Sequence, residues 1–294
     1  MLKKHILFFF LILLFGNNQP LYSQTYDELI EKLDTFEKND KRAIPYVKKY
    51  IQKAHKEKDY SHLVVAYKMA VHYYEDPNVK LKYTDSTIIA AKLSKDKDLL
   101  PNAYLGKGII YYFNFRKYKE ALDEYLKAFK YSQYSNDQYE NQKVIYHIGV
   151  VKSYLGYYSE ALDHFNKCIN YFEPFTKDKT LNPNEIYNNK KGYFNSLHRA
   201  IVCYRNLKNF KKADSLIKIG LSKSANSKGF ELEHALFMKC NGVLDYHQKK
   251  YKKSIDDLNQ ALPDIIKDKD IAWISVGYFY KGKSYLALGN KKKA

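Results

Sequence analysis

The 294-residue sequence predicts an all-α fold, a right-handed superhelical solenoid of antiparallel helix pairs with a period of about 40 residues. Three observations predict it. A set of apolar and small residues returns in the same order along the chain. Glycines recur in register ahead of these sets. Glycine (12) and proline (7) are scarce beside 30 tyrosines, which argues against a sandwich or barrel of short strands and suits long helices on short links.

The repeat is written first as Tyr118, Ala121, Leu122, Tyr125, Ala128 and Phe129, and forty residues later as Tyr158, Ala161, Leu162, Phe165, Cys168 and Ile169. It returns as Phe210, Ala213, Asp214, Ile217, Gly220 and Leu221, then as Tyr251, Ser254, Ile255, Leu258, Ala261 and Leu262. Steps of three, one, three, three and one follow one face of a helix. A partner helix precedes each set. Gly149, Gly242 and Gly282 lie twelve residues before the small residues at 161, 254 and 294. Gly108 lies thirteen before Ala121, implying one extra residue in that turn, and Ile201 fills the slot in the third unit. A glycine costs about 1 kcal/mol in a helix interior. Its recurrence fits a crossing where two antiparallel helices approach closely. The small residues step by 40, 52, 41 and 40.

The links and outer segments follow. Leu155-Gly156 and Leu288-Gly289 turn the chain between paired helices, and Lys95–Asp98, Lys177–Lys179 and Lys267–Asp270 are polar connections between pairs. The stretch Glu173–Glu185 reads as the longest loop and accounts for the 52-residue step. Upstream, Tyr26–Lys58 and Tyr60–Ser94 form two more helical pairs, with Pro45 in the first turns of a helix opening near Asp40. Pro77, Pro101 and Pro183 lie near helix starts, where a missing N–H is harmless. Pro263, inside a helix, should end or kink it.

The N-terminus reads as a secretory signal over residues 1–23: basic Lys3, Lys4 and His5, the apolar run Ile6–Phe15, then a polar stretch with cleavage between Ser23 and Gln24. An uncleaved anchor is the competing reading, but the run is half the roughly 20 residues a membrane span needs. Residues 24–294 form the solenoid. Its last unit supplies one helix from Trp273 to Leu286, the turn Leu288-Gly289-Asn290, and Ala294 at the slot that starts a second helix. The sequence is therefore expected to be truncated within its last repeat.

The net charge of +18 could point to nucleic acid, but only Arg42, Arg116, Arg199 and Arg205 are arginines, and the lysines are interleaved with acids. Direct nucleic-acid binding by this segment is not expected. Cys168, Cys203 and Cys240 sit on apolar helical stretches without ligand spacing, and read as core. No catalytic residue, metal site or cofactor is nominated. Glu231 with His234 and Asp245 with His247 lack further ligands. Asp256-Asp257 reads as helix surface, and no phosphate loop or nucleophile elbow occurs.

Glycine on the first helix, then aromatic, alanine, aromatic and alanine on the second, resembles the tetratricopeptide repeat, best over Ile145–Pro174. The chain departs from that family's period of 34 and lacks its usual tryptophan. The family register implies a concave ligand-binding face lined by the first helices. Tyr112, Tyr146, His198, Arg205, Lys239 and Tyr246 are the candidate binding residues on it, facing an extended peptide or a helix. Leu105, Ile109, Val150, Val202 and Val243 lie on the same face, and superhelical packing is the competing role for the valines. Chaperone-binding relatives clamp a C-terminal carboxylate with lysine and asparagine; the asparagine slot here is apolar, so that clamp is not expected.

The signal, the long period and phrases such as Lys82-Tyr83-Thr84-Asp85-Ser86 resemble bacterial exported repeat domains. Those domains precede a transmembrane helix and an AraC-type helix-turn-helix domain. The resemblance implies a non-catalytic protein–protein or peptide interaction module, the periplasmic sensory part of a transcriptional regulator or signalling protein. A stand-alone periplasmic scaffold or assembly chaperone is the alternative. DNA would be reached only through a domain beyond Ala294, and the inner membrane only through a downstream helix.

Overall fold

The computed structural model describes residues 24–294, so the expected signal peptide over 1–23 lies outside the described residues. Among the described residues there is no strand, and no helix is long and apolar enough to cross a membrane. The chain divides between Ser94 and Lys95 into two compact units.

The first unit contains α1 (Tyr26–Leu33), α2 (Ile44–Glu57), α3 (Tyr60–Tyr73) and α4 (Pro77–Ser94), the two expected pairs. Thr25 starts α1 by accepting from the Glu28 N–H, while the Glu28 carboxylate accepts from the Thr25 N–H at 2.8 Å. This reciprocal pair satisfies two orphan donors. The helix opening near Asp40 begins as a 3-10 turn, Lys41–Ala43, capped by Asp40; Pro45 then sits in the first turn of α2. Leu29, Val47, Tyr50 and Ala66 form the core. The Tyr73 hydroxyl donates to the Leu33 carbonyl at 2.7 Å, tying α3 to the end of α1.

The second unit contains α5 (Leu99–Ile110), α6 (Tyr118–Ser132), α7 (Gln138–Tyr154), α8 (Tyr158–Phe175), α9 (Pro183–Asn206), α10 (Phe210–Ser224), α11 (Glu231–His247), α12 (Tyr251–Lys267) and α13 (Ile271–Ala287). Odd-numbered helices are the first of each pair. Ala121, Ala161, Ala213 and Ser254 are fully buried on the even-numbered helices. The glycines opposite them leave room for larger neighbours. A Cβ on Gly149 would lie 2.9 Å from the Phe165 ring, and one on Gly242 would lie 2.9 Å from Leu258. In the third pair the slot is filled by buried Ile201, and Gly192 of α9 serves the contact with the preceding pair, admitting the Phe172 ring of α8. All three cysteines are buried and unpaired, as core residues.

The extra residue between Gly108 and Ala121 is accommodated by a π-helical turn, Tyr111–Phe115, which closes with Arg116 in the left-handed region. The 52-residue step has a different origin from the expected long loop. Helix α8 continues through Pro174 to Phe175, α9 begins at Pro183, and α9 is 24 residues long against 17 for α7 and α11. Pro263 does not end α12, which runs on to Lys267. The carbonyl deprived of a partner belongs to exposed Asn259, so water can serve it.

The turn that follows every odd-numbered helix in this unit passes through one left-handed residue: Arg116, Gly156, Lys208, Lys249 and Gly289, with φ of 55°, 87°, 58°, 63° and 79°. These recur at the same steps as the small residues. The left-handed region costs a residue with a Cβ about 1 kcal/mol. Lys249→Gly is therefore expected to stabilise the fold by about 0.5 kcal/mol, net of the entropy glycine adds to the unfolded chain. A lower urea midpoint for the variant would contradict the strain argument.

Asp257 departs from the expected surface position. It is half-buried against α11, where the Asn241 amide donates to it at 2.6 Å; Asp245, only 3 % exposed, faces it and pairs with Lys253 at 3.1 Å. Burial, then a hydrogen bond with Asp245 and the charge of that second carboxylate, push Asp257 up to about 6. A raised carboxylate contributes stability that is full below its unfolded value, about 4, and is lost as pH rises through about 6. Asp257→Asn can donate to Asp245 at any pH. After allowance for solvent screening, it is expected to gain about 1 kcal/mol near neutral pH and to flatten the stability profile across that window. Denaturant midpoints at both ends of the window test this, and a variant less stable at neutral pH would contradict it.

Candidate functional site

The second unit encloses a groove of about 410 Å³. Its walls come from segments far apart in sequence: Tyr112, Phe113 and Arg116 in and after the π turn, Tyr146 and Tyr154 of α7, Asn195, His198 and Arg199 of α9, and Asp268–Trp273 leading into α13. The π turn sets the first wall, because its added residue alters the direction in which the chain leaves α5. Asp270 sets the opposite wall by capping α13, accepting from the N–H groups of Ala272 at 2.9 Å and Trp273 at 3.1 Å.

Aromatic rings make one side. Tyr112 meets Tyr154 edge-on, with centroids 5.5 Å apart, and Tyr118 stacks on Tyr154 from behind at 5.2 Å. The Arg199 guanidinium lies 5.6 Å over the Tyr154 ring. Burial pushes the Tyr112 phenol up. Burial acts the same way on Tyr154, but Arg199 and the Tyr112 hydroxyl outweigh it and hold that phenol below its ordinary value. His198, 4 % exposed, meets the Trp273 ring edge-on at 6.1 Å. Burial, with Lys239, Arg199 and Arg205 nearby, holds His198 well below its ordinary value, so its imidazole is neutral. Its Nε2 has no hydrogen-bond partner.

Of the six candidate residues, Tyr112, Tyr146 and His198 line this groove. Lys239 adjoins it, with Nζ 5.6 Å over the Trp273 ring. Arg205 is partly buried on α9, and its charge is felt at both His198 and Lys239. Tyr246 is not a lining residue; it packs edge-on against Tyr280 at 5.2 Å, with Lys283 over its ring. Leu105, Val150 and Val243 are buried and serve packing. Arg199, Tyr154, Asn195 and Trp273 were not among the candidates. Arginine scarcity was a usable signal, since two of the chain's four arginines line the groove.

The groove can thus take an apolar or aromatic side chain against its rings, with the polar side chains of Asn195 and Arg199 beside it. Among the described residues no group of three or more histidine, cysteine or carboxylate side chains could hold a metal.

No family model matches the chain, and no curated protein sequence matches it. Solved structures do. A signal transduction ATPase with numerous domains and a tetratricopeptide repeat sensor, from Pyrococcus horikoshii, is similar over 87% of this chain at 17% identity and TM-score 0.62. This chain covers 36% of that protein. The apo form of RapI is similar over 90% of this chain and 72% of its own, at 15% identity and TM-score 0.62. The likeness, with the helix pairs described above, shows a fold of the tetratricopeptide-repeat type.

Proposed function

We propose that the chain is a non-catalytic binding module whose second unit holds an extended peptide or a helix of a protein partner in this groove. The observation that carries the reading is the groove itself. Tyr112, Tyr154 and Trp273 line it together with His198, whose buried Nε2 has no partner within the fold. Anchors of this kind, aromatic and desolvated, dominate the energy of recognition surfaces. The tetratricopeptide sensor in the similar ATPase supports a sensory role. With the N-terminal signal it favours the periplasmic input part of a larger signalling protein or transcriptional regulator.

Selection of binders from a displayed random-peptide library on the protein beginning at Gln24 tests the binding half. Tyr146→Ala and Trp273→Ala should each weaken the selected peptides by at least about tenfold with helicity retained. Selected peptides that bind both variants at full strength would remove the groove from consideration. Fractionation and N-terminal sequencing test export: a mature chain starting at Met1 in the cytoplasm would end that part of the reading.

A further inference from the structure

We infer that the floor of the groove is an oxyanion subsite, in which Arg199, Lys239 and the Nε2 of His198 take a carboxylate of the bound peptide. The inference rests on the peptide-binding reading above and names the chemistry its ligand must carry.

Three cationic side chains gather here, and the charge of Asp270 acts on one of them, Lys239. Arg199 is partly buried at the groove, Arg205 is partly buried further along the same helix, and Lys239 is only 4 % exposed. None of the ion pairs among the described residues includes any of them. Around Arg199 stand the phenols of Tyr112, Tyr146 and Tyr154, which supply hydroxyl dipoles and, at Tyr154, a ring face. A desolvated cation is costly unless an anion meets it, and guanidinium geometry suits a carboxylate. His198 adds the second, independent observation, a buried ring nitrogen with no partner. Neutral imidazole can present an N–H there.

The acids nearby do not fill the subsite. The Asp270 carboxylate is committed to the first N–H groups of α13, and Asp268 is exposed. Both line the groove, so they oppose a polyanion such as nucleic acid while leaving the floor open to a single carboxylate.

Trp273 is the only tryptophan of the chain and reports on the groove directly. Sodium acetate and sodium sulfate, each titrated against chloride at constant ionic strength, should change its fluorescence in the wild type. They should not do so in Arg199→Gln or Lys239→Met, with circular dichroism showing that both variants fold. Equal responses to all three salts would overturn the subsite.

Three short peptides then locate the carboxylate. One is acetylated and amidated with a central glutamate, the second has glutamine there, and the third has glutamine and a free C-terminus. The glutamate peptide should bind about thirtyfold tighter than its glutamine counterpart, and the preference should vanish in both variants. If the free-acid peptide gains instead, the subsite takes a chain terminus. Equal binding of all three would overturn the subsite and leave the groove reading intact. A response to acetate and sulfate without binding of any peptide would keep the subsite and remove the peptide reading.

Discussion

Gly108→Ala is expected to destabilise the fold by about 2 kcal/mol, and Gly106→Ala, two residues away in α5, to stabilise it by about 1 kcal/mol. Both substitutions gain the same helix propensity. They differ in what the new methyl group meets. At Gly106 nothing lies within 4 Å, so the propensity gain stands alone. At Gly108 the Cβ would fall 2.4 Å from the Tyr125 ring and 3.1 Å from the Ala121 carbonyl oxygen. Tyr125 is fully buried on α6, in an interior packed closely enough that a displaced ring meets other side chains. The carbonyl is backbone and moves only if the helix pair separates. Urea denaturation of the two variants should therefore give midpoints on opposite sides of the wild type. A Gly108→Ala variant as stable as the wild type would mean that the close approach of α5 and α6 is not what the glycine serves.

The same pair shows how far the sequence could be read. Gly108 was legible because it recurs with Gly149 and Gly242 ahead of a small residue, a local consequence of helix crossing. Its offset of thirteen instead of twelve foretold one added residue, which the π turn at Tyr111–Phe115 absorbs. Periodicity of this kind survives in sequence because it is set by neighbours within one repeat. The length of α9 was not legible, because Glu173–Glu185 holds two prolines and polar residues that suit a loop as well as helix ends. Asp257 was misread for a related reason. Its stripe is apolar at Ile255 and Leu258, and only the angle of α11 brings Asp245 and Asn241 to it.

The groove was half legible. Tyr112, Tyr146 and His198 were found through the register of successive first helices, which places equivalent residues side by side. Arg199, Tyr154 and Trp273 join them only because the unit curves enough for Arg116 and Asp268 to line one groove. No local pattern encodes that curvature.

Lys239→Met is expected to raise stability by about 3 kcal/mol near neutral pH while abolishing the anion response. Burial comes first among the causes that push the Lys239 amine down from 10.5 to about 8; the charges of Arg199 and Arg205 add to it, against the opposing influence of Cys240 and of Asp270 at the start of α13. His198 also faces this amine from α9 and is neutral. At about 1.4 kcal/mol for each unit, protonated Lys239 costs the fold about 3 kcal/mol below its folded value. The sign follows from the downward shift. Stability linked to this group is fully present above its unfolded value and is lost as pH falls through about 8. The methionine variant lacks the charge, so its advantage should be largest near neutral pH and should close as pH rises through that window. An advantage that stayed constant with pH would assign the gain to packing and leave no charge at Lys239. Sulfate or acetate should narrow the gap at neutral pH, because an anion bound beside Lys239 and Arg199 stabilises only the chain that keeps the amine. A buried cation that Asp270 offsets only in part leaves the fold a site at which an anion from outside adds stability on binding.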